Sequence, residues 1–316
     1  MKGRHPSGIL NVNKPLGKSS HHVVEVIREA TGIRRVGHAG TLDPLATGVL
    51  VVCVGRNATR VAEYLMDEPK TYRTDAKLGV TTDTFDAEGT VVTRADVDGD
   101  QDDLEEALDE FRGRIEQMPP MYSALKHQGK PLYQLARQGI EVEREPRPVE
   151  IFRLDLIAWR RTDHRAWCRL EIECSPGTYI RTLVHDLGQR LGCGAHVTSL
   201  TRLASGHFRL EDAVTLDRFF QAAEKEQWVQ LLSPVDKALA HRFPALHLDA
   251  YAARKLCSGQ SIRGPGLSAE DPPLARVYGP EGRFLALAAY DDRDRAWRPR
   301  KVFVSSYPGA SGAHAD

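Results

Sequence analysis

Apolar and polar positions alternate in some stretches of the chain, and in others apolar residues recur every three or four positions. Alternation or a short apolar run predicts a strand, and the longer recurrence predicts an amphipathic helix. The predicted strands are residues 8–13, 49–54, 71–78, 149–159 and 166–174. The predicted helices are residues 20–31, 57–65 and 179–191. Because strands and helices are mixed without a repeating strand–helix unit, the pattern indicates an α+β fold with a mixed, largely antiparallel sheet.

A second, smaller β-rich block is predicted at residues 246–304, after a linker near residues 241–245. Within that block, strands are expected at residues 274–278, 283–290 and 301–304. The length of 316 residues is consistent with about two domains. The last residues, 305–316, are rich in Gly, Ala and Ser, and we expect them to form a disordered tail.

The most unusual stretch of the chain is the loop at residues 36–48, which is rich in glycine and leads directly into an apolar strand. Asp43 is the acidic residue of this loop, and Pro44 biases it away from helical geometry. One carboxylate on such a loop can attack a sugar carbon or a pyrimidine ring without a cofactor. Asp-Pro is also common turn chemistry, so the loop alone leaves a structural interpretation open.

Charge is balanced over the whole chain but unevenly distributed along it. The 43 basic and 43 acidic residues cancel, yet residues 83–110 contain twelve acidic residues and one arginine. The rest of the chain therefore carries the compensating positive charge. An acidic run of this kind is usually a solvated helix or loop. The segregation permits a basic face that attracts the phosphates of RNA or DNA.

Several classes of protein are disfavoured by the composition. The five cysteines contain no Cys-x-x-Cys pair, which fits neither a zinc site nor a disulfide framework and is typical of a reducing cytoplasm. The longest apolar run, residues 49–54, is far shorter than the roughly 18 residues of a membrane span, so no membrane association is expected. His21, His22 and Glu25 lack the spacing of metal ligands. We expect neither a metal nor a cofactor.

Several stretches, in order over about 200 residues, resemble the motifs of the TruB family of tRNA pseudouridine synthases, in its bacterial form. They are the nucleophile motif at residues 36–50, a first motif at 8–20, a tyrosine strand at 70–73, an arginine motif at 174–182 and a weaker motif at 200–203. Ser19 stands where the family usually has threonine. The resemblance implies isomerisation of uridine to pseudouridine at position 55 in the T-loop of tRNA.

The resemblance implies three catalytic residues. Asp43 takes the place of the aspartate that does the covalent chemistry. Arg181 takes the place of the arginine that pairs with it, here expected as a bidentate contact that stabilises the ionised carboxylate. Without the resemblance, a helical arginine would be interpreted as a surface residue. Tyr72 is expected to place its ring against the target uracil and to relay the C5 proton.

Further residues are expected to bind the substrate. By resemblance, Tyr179 and Leu200 form walls of the base pocket, and His38 fills the space that the extruded base leaves in the RNA. Extrusion costs a few kcal/mol, which contacts to phosphate would help to offset. The candidates for those contacts are basic residues of the N-terminal region: Lys14, Lys18, Arg34 and Arg35.

The resemblance divides the chain into a pseudouridine synthase catalytic domain at residues 1–240 and a small RNA-binding domain of the PUA type at residues 246–304. We expect a cytoplasmic monomer that binds the T-stem and T-loop of tRNA and needs no protein partner. Two alternatives stay open. One is a non-catalytic RNA-binding protein that acts as a tRNA chaperone, and the other is a pseudouridine synthase that depends on a guide RNA.

Overall fold

The computed structural model describes residues 6–264 and 274–304. The tail predicted at residues 305–316 lies outside these ranges. Within them, every helix is too short or too polar to cross a membrane.

Strands and helices are mixed along the whole described chain. The strands are β1 (Gly8–Lys14), β2 (Val36–His38), β3 (Ala46–Val54), β4 (Lys70–Leu78), β5 (Val80–Thr82), β6 (Val91–Arg94), β7 (Gly113–Gln117), β8 (Lys126–His127), β9 (Lys130–Pro131), β10 (Arg147–Arg161), β11 (Ala166–Cys174), β12 (Ala195–Ser205), β13 (Phe208–Arg209), β14 (Val214–Thr215), β15 (Ala245–His247), β16 (Ile262–Arg263), β17 (Leu274–Tyr278), β18 (Phe284–Asp291) and β19 (Ala296–Val302). The α-helices are α1 (Ser20–Thr31), α2 (Arg56–Thr59), α3 (Ala62–Met66), α4 (Gln101–Asp109), α5 (Leu132–Ala136), α6 (Ile180–Arg190), α7 (Leu216–Glu224), α8 (Val235–Ala238) and α9 (Ala250–Cys257), and Trp228–Leu231 is a 3-10 helix.

A large mixed sheet forms the main body of the protein. Its main path has the strand order β14-β1-β3-β12-β4-β11-β10-β7, with β2 paired to β3 and β13 to β12. The pairs β1–β14 and β3–β12 are parallel, and the other neighbours in this sheet are antiparallel. The expected α+β fold with a largely antiparallel sheet is therefore confirmed.

Strand β3 is buried on both faces, which explains its uninterrupted apolar sequence. Leu50, Val52 and Val54 belong to an apolar cluster that also contains the buried residues of α1 and α6. Val49 and Val51 face the opposite side and belong to a second cluster. A strand covered on both faces needs apolar residues at consecutive positions rather than alternating ones.

Two predicted elements differ from the structure. The helix expected at residues 57–65 is divided into α2 and α3, because Val61 leaves helical geometry (φ −106°, ψ 3°) and is fully buried in the second cluster. The strand expected at residues 301–304 overlaps only the last two residues of a longer strand, β19, which begins at Ala296 and ends at Val302. Helical and strand periodicity are local signals, and in both places packing against distant residues decides the outcome.

The C-terminal residues form a separate five-stranded sheet in the order β15-β17-β18-β19-β16. The preceding segment, predicted as a linker at residues 241–245, is packed instead of free. Phe243 is buried in the same cluster as Val49 of the large sheet and Leu287 of the small one, and Arg242 donates to the carbonyl oxygen of Tyr64 at 2.7 Å. The two sheets therefore share part of one apolar core.

The C-terminal part of the acidic segment forms helix α4. Helix α4 starts with a capping box in which the Asp100 side chain accepts from the backbone of Asp102 and Asp103. Its Leu104 and Leu108 are fully buried, and α4 packs against α6 and β10. Most of the acidic side chains of α4 remain exposed, as expected for a solvated face.

Candidate active site

Asp43 lies on the turn that connects β2 to β3. The N–H of Ala46 donates to the carbonyl oxygen of Asp43 at 3.0 Å, and the Asp43 side chain is 39% exposed. Gly48 explains part of the glycine content of this motif: its φ is 97°, and a Cβ there would lie 2.3 Å from the carbonyl oxygen of Arg202 on β12. Only glycine allows β3 and β12 to approach this closely, which fixes the turn that carries Asp43.

Arg181 lies on α6 and is 4% exposed, and its guanidinium contacts the Asp43 carboxylate. Its Nη2 lies 2.9 Å from Oδ2 of Asp43, while its Nη1 lies 3.4 Å from Oδ2 of Asp86. The guanidinium also donates to the carbonyl oxygens of Thr84 at 2.9 Å and Tyr122 at 2.7 Å. The expectation of a bidentate contact is therefore wrong, because the two terminal nitrogens are divided between two carboxylates.

Asp86 is a site residue that the sequence reasoning missed. It lies inside the acidic segment but is 4% exposed. Its Oδ1 accepts from the hydroxyl of Thr84 at 2.6 Å and from the N–H of Glu88 at 3.1 Å. Nothing in the sequence distinguishes Asp86 from its solvated neighbours, since its burial comes from the loop folding back onto Arg181. Arg181 thus carries its single positive charge between two carboxylates.

A cavity of about 510 Å³ opens on one side of Asp43 and contains most of the residues predicted for the base pocket. Its walls include Tyr72, Tyr179, Leu200 and Arg181. Tyr72 is 9% exposed on β4 and lies directly opposite Arg202 on β12. Burial raises the pKa of the Tyr72 hydroxyl, although the Arg202 guanidinium opposes the shift. The hydroxyl is therefore protonated at neutral pH.

Hydrogen bonds to the backbone fix the position of Tyr179, and strand pairing fixes that of Leu200. Tyr179 precedes α6, and the side chain of Gln117 both accepts from its N–H at 2.7 Å and donates to its carbonyl oxygen at 3.0 Å. Burial raises the pKa of the Tyr179 hydroxyl. Leu200 is 7% exposed and pairs with Ala46 in the parallel β12–β3 ladder. The strand that leads away from Asp43 therefore also positions one wall of the cavity.

His38 lies on the other side of Asp43. It lines a second cavity of about 530 Å³ together with Tyr122, Asp43 and Arg181. Burial lowers the pKa of the His38 ring, so the ring is neutral at pH 7. Asp43 therefore separates two cavities, with Tyr72 in one and His38 in the other.

Lys14 does not have the position expected of a phosphate contact. It is fully buried, and its Nζ donates to the carbonyl oxygens of Pro15 at 2.9 Å, Lys18 at 2.5 Å and Pro44 at 3.4 Å. Burial lowers the pKa of Lys14 to about 8, although the Asp43 carboxylate opposes the shift. The prediction for Lys14 is corrected: its ammonium joins the turn after β1 to the Asp43 loop. The side chain of Lys18 is exposed, as a phosphate contact requires.

Two further buried cations line the cavity that contains Tyr72. Arg202 is 1% exposed and donates through Nε to the carbonyl oxygen of Val49 at 2.6 Å and through Nη2 to that of Gly40 at 3.1 Å. Lys70 is 6% exposed and donates to backbone carbonyl oxygens of the turn before β4, and burial lowers its pKa to about 8. Both residues stand in recognisable motifs, but their burial is visible only in the structure.

The arrangement suits chemistry at a planar ring with a carboxylate as the reacting group. Asp43 is partly exposed to a cavity with aromatic walls, and a buried guanidinium lies 2.9 Å from its carboxylate. Tyr72 presents a protonated hydroxyl to the same cavity. Within residues 6–264 and 274–304, no three His, Cys, Asp or Glu side chains come together in the manner of a metal site.

Comparison with known structures finds the same fold in chains of two multi-component complexes. The chain aligns with a protein in the crystal structure of a Cbf5-Nop10-Gar1 complex with a TM-score of 0.70 and 26% identity, over 95% of this chain and 86% of that one. A second alignment, to a chain in the structure of an H/ACA RNP bound to a substrate RNA containing 2'-deoxyuridine, has a TM-score of 0.69 and 25% identity, over 95% of this chain and 87% of that one.

Three consecutive parts of the chain match domains of one protein family. Residues 28–180 match the N-terminal domain of the TruB family pseudouridylate synthases, residues 181–240 the tRNA pseudouridylate synthase B C-terminal domain, and residues 244–301 the C-terminal part of pseudouridine synthase II TruB. The fold is thus that of a pseudouridylate synthase. The chain belongs to the TruB family, as its motifs predicted.

Curated relatives match over nearly the full chain. The tRNA pseudouridine synthase B of Pseudomonas aeruginosa (strain UCBPP-PA14) is 45% identical over 307 residues, which cover 96% of this chain and 97% of the relative. The tRNA pseudouridine synthase B of Photorhabdus laumondii subsp. laumondii is 42% identical over 315 residues, covering 96% and 98%.

Proposed function

We propose that this protein isomerises uridine to pseudouridine in tRNA, at position 55 of the T-loop. The observation that carries the proposal is the position of Asp43, which lies 2.9 Å from the buried Arg181 guanidinium and faces a cavity lined by Tyr72, Tyr179 and Leu200. The names of the curated relatives support tRNA as the substrate.

The reaction exchanges one glycosidic bond for another and moves one proton, without an energy source. The bond from ribose C1' to N1 of uracil breaks, the base turns, and C1' joins C5. The proton on C5 is lost and N1 gains a proton, so the product is an isomer of the substrate. Asp43 does the covalent chemistry while Arg181 stabilises its ionised form. Tyr72 stacks against the base and relays the C5 proton.

The target uridine must leave the folded T-loop to reach Asp43. Extrusion costs a few kcal/mol, and stacking in the cavity offsets part of that cost. We assign His38 the role of filling the space left in the RNA, because it lies on the opposite side of Asp43 from Tyr72. Tyr179 and Leu200 form the walls that hold the extruded base, and Lys18, Arg34 and Arg35 contact phosphates.

We further propose that residues 1–240 form the catalytic domain and residues 246–304 a PUA-type RNA-binding domain. The separate five-stranded sheet supports this division. The protein acts in the cytoplasm as a monomer, without a guide RNA and without a protein partner. The higher identity to curated tRNA enzymes than to the Cbf5 complex supports independence from a guide.

The decisive test incubates the purified protein with tRNA carrying 5-tritiated uridine, without guide RNA. We expect tritium release and pseudouridine at position 55. Asp43→Asn is expected to abolish release while tRNA affinity falls less than about tenfold, or 1.4 kcal/mol. Asp212→Asn changes an exposed aspartate and serves as the control, with unchanged release.

Three results would contradict the proposal in different ways. Full turnover by Asp43→Asn would remove this residue from the mechanism. Tight tRNA binding without product in the wild-type protein would favour a non-catalytic RNA-binding protein. Product that appears only after a guide RNA is added would favour the guide-dependent class.

A further inference from the structure

A second charged region lies at the opposite end of β3 from Asp43. Its cavity, of about 630 Å³, is lined by Arg34, Arg35, Arg56 and Arg60, and by Val302 and Phe303 from the end of the C-terminal sheet. We call these four arginines and the cavity between them the arginine cleft. The N–H of Gly55 donates to the carbonyl oxygen of Arg35 at 2.7 Å, which fixes the two arginine-bearing segments beside each other.

Within residues 6–264 and 274–304, no carboxylate pairs with a guanidinium of the arginine cleft. Arg34, Arg35 and Arg56 are exposed, and among the described residues none of the three has an ion pair or a side-chain hydrogen bond. No acidic residue of the described chain lines the cavity. Several guanidinium groups that converge without a carboxylate repel each other, and an anion bound between them relieves that repulsion.

Arg60 is the fixed member of the cleft and connects it to the C-terminal sheet. Its Nη1 donates to the carbonyl oxygen of Val302 at 2.6 Å, and its guanidinium lies 5.0 Å from the centre of the Phe303 ring. Phe303 in turn stacks on Phe284 at 5.0 Å and belongs to the core shared by the two sheets. The floor of the cleft is therefore packed on the apolar core that the two sheets share.

The place of the cleft in the fold indicates which kind of anion it takes. Asp43 precedes the first residue of β3 and Arg56 follows the last, so about 26 Å of strand separates them at 3.3 Å per residue. One extruded nucleotide cannot span that distance, but an RNA stem can. Helix α4, which carries exposed acidic side chains, packs against α6 and β10, and β10 is four strands away from β3 in the order of the sheet.

We propose that the arginine cleft binds the phosphodiester backbone of the RNA substrate, at a point roughly 26 Å from the reacting uridine. This inference rests on the proposed function, because it takes RNA as the substrate. It assigns the C-terminal sheet a specific part in RNA binding, which is to form the floor that positions Arg60.

The test measures the affinity for full-length tRNA as a function of salt concentration. The double variant Arg35→Gln/Arg56→Gln removes two phosphate contacts, so the slope of log K against log salt should fall by about 2 and affinity by about tenfold. Arg35→Lys/Arg56→Lys keeps the charge and should restore most of the slope. Arg161→Gln removes an exposed arginine at the far end of β10 and should leave the affinity unchanged.

Two additional ligands test the distance and the source of the phosphate. A minimal T-loop hairpin, whose stem ends short of the cleft, should bind the wild-type protein and the double Gln variant equally. An equal loss of affinity with this hairpin would overturn the proposed position. Inorganic tripolyphosphate tests the other source: if the substitutions abolish its binding but not that of tRNA, the cleft takes a free polyphosphate and the proposal is wrong.

Pseudouridine formation by the wild-type protein is measured in parallel. This measurement distinguishes a failure of the cleft proposal from a failure of the proposed function. If the wild type forms pseudouridine but the double Gln variant keeps wild-type affinity and salt slope, the cleft proposal fails alone. If the wild type binds tRNA through the cleft but forms no product, the proposed function fails instead. Melting temperatures of all variants establish that they are folded.

Discussion

The basic side chains around Asp43 are buried and hydrogen-bonded, whereas most of those in the arginine cleft are exposed and unpaired among the described residues. Arg181, Arg202 and Lys14 are 4%, 1% and 0% exposed, and each donates to protein acceptors. Arg34 and Arg56 are exposed, and within the described residues they have no such partner. A buried charge is tolerated only when the protein satisfies it. Buried cations therefore build the site, while exposed unpaired ones remain available to a ligand.

The largest predicted effect concerns the most buried ion pair of the site. Arg181→Met leaves Asp43 and Asp86 facing each other without the cation between them. We expect turnover to fall about 1000-fold, or about 4 kcal/mol, and the free energy of unfolding to fall by about 3 kcal/mol. Single-turnover kinetics and urea unfolding measure the two effects.

Arg190→Met is the matched control for this variant. Arg190 lies on the same helix, α6, and pairs with Glu110 at the surface. A surface ion pair contributes little to stability, so both measurements should remain close to wild type. Equal effects from Arg181→Met and Arg190→Met would show that burial does not distinguish the two kinds of cation.

The second prediction asks whether the floor of the arginine cleft belongs to the shared core. Phe303→Ala removes a ring that is 9% exposed and stacks on Phe284, and should lower the free energy of unfolding by about 3 kcal/mol in one cooperative transition. Phe152→Ala, on the exposed face of β10, is the control with a small effect. A separate early transition for the C-terminal sheet would contradict a shared core.

The smallest effect follows from the titration of a buried lysine. Burial lowers the folded-state pKa of Lys70 to about 8, below its ordinary value of 10.5. Between these two values the unfolded chain binds the proton and the folded protein releases it, so stability from this residue rises with pH. Relative to Lys70→Met, the wild-type protein should gain on the order of 2 kcal/mol in unfolding free energy between pH 7 and 9.5.

Lys77→Met, at a half-buried position on the same strand, controls for general effects of alkaline pH. If the difference in unfolding free energy between the wild type and Lys70→Met does not change between pH 7 and 9.5, burial does not lower the pKa of Lys70. That result would also weaken the contrast between buried and exposed cations on which the cleft proposal depends.

Much of the fold could be predicted from the sequence because it follows from local patterns. The alternating pattern predicted β4 at residues 71–78, and the helical recurrence of apolar residues predicted α1 at residues 20–31, close to the observed bounds. The motifs also identified the family. The break between α2 and α3 escaped prediction because it depends on Val61 entering a core formed by distant strands.

The site was less predictable than the fold. Lys14 and Lys18 are of the same residue type and only four positions apart, yet Lys14 is fully buried and Lys18 is exposed. Asp86 cannot be distinguished in sequence from the solvated acids around it. Burial of a charged side chain depends on partners that are supplied from elsewhere in the chain, and no local period encodes them.

The sequence by itself determined the family, several of the strands and helices, and the candidate nucleophile Asp43. Only the tertiary structure decided which cations are enclosed, that Arg181 is shared between Asp43 and Asp86, and that arginines from separate segments converge beside the C-terminal sheet. The physical reason is that periodicity acts between neighbours along the chain, whereas desolvation and charge pairing act between residues that only the folded backbone brings together.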